Sequence, residues 1–347
     1  MNRTMTPAIL SCAFGVAMTL RAQEPPADLT KFLRERIGLD QGQLAAIERG
    51  EAVVKILESP SERDLGVFGV IVVAVPRQFY VSRVQDFPNS LRTPTRHAFG
   101  IFHTPARPED VAAVTITQQD AGDIQKCKPG DCKSKMPGSD MERLVKEVDW
   151  SAPDPSAQVT TYVRQRLVEY VNAYRAHGDS ALVTYDDANG TRASDAFDTL
   201  LSQSPWVYQD VPSLRQYLAG YPHVQMDGVT DAVFWSDDRA PRLRPTLSVN
   251  HVVTYAPPEH PNMTVVATKQ IYANHYTEAA FDFTAAIDRG AGGDHPGIYL
   301  LMLRRFRLDE APSGTVRHLM RGQFGNQARD DLQRQRSAAE QAFGHGH

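Results

Sequence analysis

Only three of the 347 residues are cysteine, at positions 12, 127 and 132. Redox catalysis and thiolate metal binding call for closer spacing or more ligands than these supply. The chain also lacks the usual signatures of chemistry. It has no Gly-x-Ser-x-Gly elbow, no His-Glu-x-x-His, no Gly-x-x-x-x-Gly-Lys-Ser/Thr and no Cys-x-x-Cys-His. Positive charge is not in surplus. A formal net charge of -4 argues against a polyanion binder, because neutralising phosphates needs a basic face. After residue 20 no run is apolar enough to cross a membrane. Internal repeats and low-complexity tracts are absent too.

The amino terminus reads as an export signal. Arg3 gives it a positive start, and Ala8 to Leu20 is an apolar core too short to span a bilayer. Cleavage near Ala22 or Gln23 removes residues 1–23 and predicts a periplasmic or extracellular protein with no span in the mature chain. Cys12 leaves with the leader. Cys127 and Cys132 remain, in Cys-Lys-Pro-Gly-Asp-Cys, and an even pair in an exported chain predicts a disulfide. The Pro129-Gly130 turn folds the two thiols toward each other.

Residues 24–66 form a mostly helical extension. Leu29 to Ile37 and Gln41 to Arg49 have helical periodicity, Asp40 suits the N-cap of the second piece, and Ala52 to Leu57 is a short β-prone run. Val67 to Val75 is a strong strand ended by Pro76, with a helix from Arg77 to Phe87 after it. From about 88 to 230 the chain is loop-rich and helical. Its clearest element is the amphipathic helix Ala157 to His177, stopped by Gly178. Helices at Ala196–Leu201 and Ser213–Leu218 flank Pro205-Trp206-Val207-Tyr208, whose aromatics serve either as a lid or as a core plug. β signals then dominate: Ala232–Ser236, Thr246–Tyr255 and three long strands within Met263–Leu308. Gly290-Ala291-Gly292-Gly293 lies between two of these strands and reads as a hairpin loop. A helix from Thr315 to Phe343 follows. Its apolar stripe includes Val316, Leu319, Phe324, Ala328, Leu332 and Ala339, and Gly322 and Gly325 point to a close approach or a bend. Residues 344–347 are a tail.

The order of strand, helices, antiparallel meander and long C-terminal helix resembles the START-like, helix-grip superfamily of lipid-transfer and pollen-allergen-like proteins. The likeness rests on Val67–Phe87, Met263–Leu308 and Thr315–Phe343, and places that domain at 67–343. The Lys-Gln-Ile-Tyr-Ala-x-His-Tyr element at 269–276 and the Arg-x-Arg-x-Asp element at 305–309 also resemble those of exported bacterial proteins of unassigned function. The resemblance implies an α+β fold in which a curved antiparallel sheet grips the last helix around a hydrophobic cavity. It carries over no catalytic residue.

Alternation puts Tyr272, Asn274 and Tyr276 on one face and Arg305 and Arg307 on another shared face. With His275 and Trp235 these are the candidate polar and aromatic groups of a cavity. Buried arginines need acidic partners, for which Glu278, Asp282 and Asp288 are available. His251, His275 and Glu278 are ordinary zinc ligand types. On one regular strand, however, His275 and Glu278 point to opposite sides, so no metal is expected. The leading expectation is a carrier of a hydrophobic small molecule or lipid between sheet and terminal helix, with no cofactor and no catalysis. The alternatives are a hydrolase using His251 or His275 with a nearby carboxylate, and an envelope structural or interaction protein.

Overall fold

The structure, a computed structural model, describes residues 27–188, 190–241, 243–290 and 297–345. The expected leader, most of the glycine-rich loop and the end of the tail lie outside these residues.

The chain begins with α1 (Ala27–Phe32), which runs on as a π-helical segment (Leu33–Ile37), and α2 (Gln41–Glu48). β1 (Val53–Leu57), β2 (Asp64–Val73), α3 (Arg77–Gln85), α4 (Phe87–Ser90) and β3 (Arg96–Ile101) follow. The middle of the chain holds α5 (Gln118–Ile124), α6 (Gly138–Glu147), α7 (Pro155–His177), β4 (Thr184–Tyr185), β5 (Thr191–Arg192), α8 (Ala193–Ser202), α9 (Trp206–Asp210) and α10 (Pro212–Gly220). The last part is β6 (Thr230–Asp238), β7 (Thr246–Tyr255), β8 (Met263–Ala273), β9 (Thr277–Asp288), β10 (Ile298–Leu308) and α11 (Gly314–Gly344). Asp40 caps α2 as expected, its carboxylate accepting the Gln43 N–H at 2.8 Å while Gln43 accepts from the Asp40 N–H at 3.0 Å.

Eight strands form one curved antiparallel sheet in the order β1-β2-β10-β9-β8-β7-β6-β3. β2 pairs with β10 along nearly its whole length, so the two ends of the chain meet inside the sheet. The 24–66 segment supplies edge strand β1 from its expected β-prone run, and the start of β2.

All ten residues of β2 are buried, which is why this strand is a continuous apolar run and does not alternate. Its odd residues Val67, Ile71 and Val73 pack with Leu300 and Met302 beneath α11. Its even residues Phe68, Val70 and Val72 join Leu301, Leu303, Phe281 and Phe283 on the other face, under α1, α2 and α8–α10. A second cluster on that face places α5–α7 over β6 and β7. The sheet thus lies between two helical layers, with α3, α4 and α11 on one face and α1, α2 and α5–α10 on the other.

α11 lies close to the sheet. A Cβ on Gly69 would come within 2.7 Å of Leu332 Cδ1, so β2 needs glycine there for the helix to seat. Gly325 has the expected close approach, to Ile56, whereas Gly322 faces open space. Phe324 stacks on Phe306 at 5.1 Å, and Asp331 pairs with Arg304. The first turns of α11 depart from the expected stripe. Val316 and Leu319 are about half exposed, because the seated face runs through Phe324, Ala328 and Leu332.

Candidate functional site

Arg305 and Arg307 do share a face of β10, the one turned away from α11. Arg307 reaches Asp64 at 2.9 and 3.1 Å and Glu278 at 3.2 Å. Glu278 also pairs with Arg63 and accepts the Thr191 hydroxyl at 2.8 Å. Arg305 is different. It is buried and, among the described residues, pairs with no carboxylate. Its guanidinium donates to Ser204 Oγ at 2.7 Å, to Gln203 Oε1 at 3.0 Å and to the Gln203 carbonyl at 2.8 Å. Gln203 is the C-cap of α8, so Arg305 satisfies free groups at the negative end of that helix. Burial draws its pKa down to about 10. The other acids expected on β9 serve elsewhere: Asp288 pairs with Arg77, and Asp282 lies 3.8 Å from Arg304 on the α11 side.

The expected common face of Tyr272, Asn274 and Tyr276 is not formed. The β7–β8 register shifts opposite Val249 and Asn250, and β8 ends at Ala273. Asn274, His275 and Tyr276 form the turn to β9, with Tyr276 at φ 65°. Each side chain has a fixed partner. The Tyr272 hydroxyl donates to the Lys135 carbonyl at 3.2 Å, and Asn274 Oδ1 accepts the Leu247 N–H at 2.8 Å. The Tyr276 hydroxyl accepts the Arg244 N–H at 2.7 Å. His275 Nδ1 donates to the Lys133 carbonyl at 3.1 Å, and Nε2 lies 3.3 Å from Asp120. Trp235 is buried on β6, where its Nε1–H donates to the Asp110 carbonyl at 2.7 Å.

Cys127 and Cys132 are disulfide-bonded, as expected from the sequence. The bridge lies directly before the segment that docks on the β8–β9 turn. The Lys135 N–H donates to the Asn274 carbonyl at 2.8 Å, and buried Lys135 Nζ sits 3.3 Å from Asp187. Replacing both cysteines by serine should lower stability by about 2 kcal/mol, the loop-closure value for so short a loop. Urea unfolding of the double variant checks this, and reducing agent should bring the parent protein to the same midpoint.

His251 and His275 share no partner. His251 sits in mid-strand and is wholly buried, with Nδ1 2.9 Å from the Tyr174 hydroxyl and Nε2 3.0 Å from Asp231. Its pairing partner across the strands is Lys269, also wholly buried. Lys269 Nζ bonds Asp179 at 2.5 Å and the Leu218 carbonyl at 3.3 Å, and lies 4.4 Å from the Phe197 ring centre. Burial pushes both cationic forms down in pKa. The hydrolase alternative needs a histidine that a substrate can reach, and the burial of His251 and His275 does not provide one. Among the described residues no group of three or more His, Cys, Asp and Glu side chains is placed to hold a metal ion.

Open space lies elsewhere. Between α11 and the sheet the gap at Phe306 and Phe324 is about 10 Å³. On the opposite face a cavity of about 490 Å³ opens between α1, its π-helical extension, α9 and the sheet. Its floor is Met263, Phe283, Ala285, Ile287 and Leu301, from β8, β9 and β10. Phe32 and Trp206 form an aromatic wall, their ring centres 5.0 Å apart. Trp206 also contacts Phe68 at 6.2 Å, so it both borders the cavity and plugs the core. The mouth is charged, with Lys31, Glu35, Arg36 and Asp210 on it. Burial raises the Asp210 pKa, partly offset by His260 and Arg36. None of Trp235, Tyr272, Asn274, His275, Tyr276, Arg305 and Arg307 borders this cavity. The signal that pointed toward it was Trp206 in its proline-flanked connection.

No family model, curated protein or solved structure matches the chain. Among the described residues no helix is long and apolar enough to cross a membrane.

Proposed function

We propose that this protein is an exported carrier of a hydrophobic small molecule or lipid, held on the sheet face opposite α11. The observation that carries the reading is the cavity of about 490 Å³ with an apolar floor on β8–β10, an aromatic wall and a charged mouth. That volume falls in the range of about 300–1,000 Å³ typical of small-ligand sites, and burying apolar ligand surface supplies affinity without chemistry. The leader-like sequence at 1–23 and the disulfide support export. The START-like resemblance supports an apolar ligand, though here the space available to it is on the other face of the sheet.

Purified protein should release a bound apolar molecule on organic extraction, detected by mass spectrometry. The emptied protein should bind the neutral dye 1-N-phenylnaphthylamine. Ala285→Phe, which projects a ring into the floor, should weaken dye binding by at least about tenfold. It should shift the melting temperature by no more than about 3 °C, since the ring enters open volume. Equal dye binding by parent and variant would sink the proposal.

A further inference from the structure

We propose that Asp231, His251 and Tyr174 form an acid-sensitive latch that keeps α7 and α10 seated on the sheet. This concerns the helical layer itself and does not depend on the carrier reading. His251 is surrounded from every side. Asp231 faces it from β6, Lys269 from β8, Tyr174 and Arg175 from α7, Tyr217 from α10, and Tyr221 from the turn after α10. The Tyr221 ring centre is 4.5 Å from the imidazole. Lys269 in turn faces Asp179 and, from α8, Asp198.

The hydrogen bonds favour one protonation state. Asp231 takes the Nε2–H, which leaves Nδ1 to accept from the Tyr174 hydroxyl. A second proton must enter at Nδ1. Tyr174 would then have to accept, and its own O–H would turn into a wholly buried shell in which, among the described residues, it has no other hydrogen-bond partner. The new cation would also stand directly across from Lys269, whose ammonium already holds the Leu218 carbonyl near the end of α10. Among the described residues the only carboxylate bonded to His251 is Asp231, whose side chain is one-third exposed. Burial outweighs that carboxylate and holds the imidazole below its ordinary value of 6.5.

The sign follows from linkage. The unfolded chain binds the proton more readily than the folded one, so the latch is fully set above pH 6.5. It weakens as the pH falls below 6.5, and the loss is complete once the pH has passed the depressed folded value. The relief is local, because release of α10 and its tyrosines hydrates His251 without separating β6, β7 and β8.

Hydrogen exchange of the full chain between pH 7.5 and 5, corrected for intrinsic rates, tests this. Protection over residues 212–221 should fall by at least about tenfold, while the β7–β10 core stays protected. In His251→Gln the step should vanish. Should that variant not fold, Asp231→Asn serves in its place: removing the carboxylate lowers the folded imidazole pKa further, so the loss of protection should still begin near pH 6.5 but continue to lower pH and end deeper than in the parent. A flat profile in the parent, an unchanged loss in His251→Gln, or a shallower loss in Asp231→Asn each overturns the proposal.

Discussion

Trp235→Ala should cost about 3–5 kcal/mol of stability, among the largest effects of any single truncation in this chain. The indole is 1% exposed and packs in the cluster that joins α5–α7 to β6 and β7. It lies so close to β3 that a Cβ on Gly100 would come within 2.4 Å of its Nε1. Truncation leaves a ring-sized void and also strips the Asp110 carbonyl of its donor. The Asp110 side chain caps the adjacent turn, accepting the Arg107 N–H at 2.8 Å and the His103 N–H at 2.9 Å, so loss of the indole should loosen that loop as well. Urea unfolding measures the cost. Dye binding at the β8–β10 cavity should persist in the surviving folded fraction, because Trp235 does not border it. A loss below about 1 kcal/mol would contradict the packing described for this residue.

Asp64→Ala should cost a similar 3–5 kcal/mol, for an electrostatic reason. Three guanidinium groups, Arg63, Arg305 and Arg307, gather at the end of β2 and β10 around two buried carboxylates, Asp64 and Glu278. Asp64 accepts from Arg307 twice and from Gln203 once. Gln203 in turn accepts from Arg305. Removing Asp64 leaves three buried or half-buried cations against Glu278 alone and unties Gln203 from β2. The companion variant Arg307→Met in the Asp64→Ala background should recover part of the loss, since it removes the stranded charge. A double-mutant cycle reads that coupling directly, and additive losses would mean that the two residues act separately.

These two sites show how far the sequence could be read. The strands were legible because their burial writes itself into residue order. Thr246–Tyr255 alternates and Val67–Val73 does not, which reports one partly covered face and two covered faces respectively. α7 was legible from its three- and four-residue spacing and its glycine stop. The short helices α5 and α9 were not, because five to seven residues give too little periodicity. Parity reasoning held on β10, where pairing is regular, and placed Arg305 and Arg307 together. It failed past the irregularity near Tyr272 and at the left-handed Tyr276, where one extra residue reverses every side chain after it.

The longer elements, their approximate ends, the disulfide and the antiparallel meander that carries the last helix follow from residue order, because periodicity, caps, turns and cysteine count are local quantities. Long-range packing set which face each helical layer takes, that Arg305 caps α8 in place of meeting an acid, that His251 is sealed between Asp231 and Tyr174, and that a cavity of about 490 Å³ lies across the sheet from α11. Those outcomes depend on contacts between residues far apart in the chain, such as Arg305 with Gln203 and Leu332 with Gly69. Nothing in the spacing of either partner encodes the other, and only close packing of the whole chain selects them.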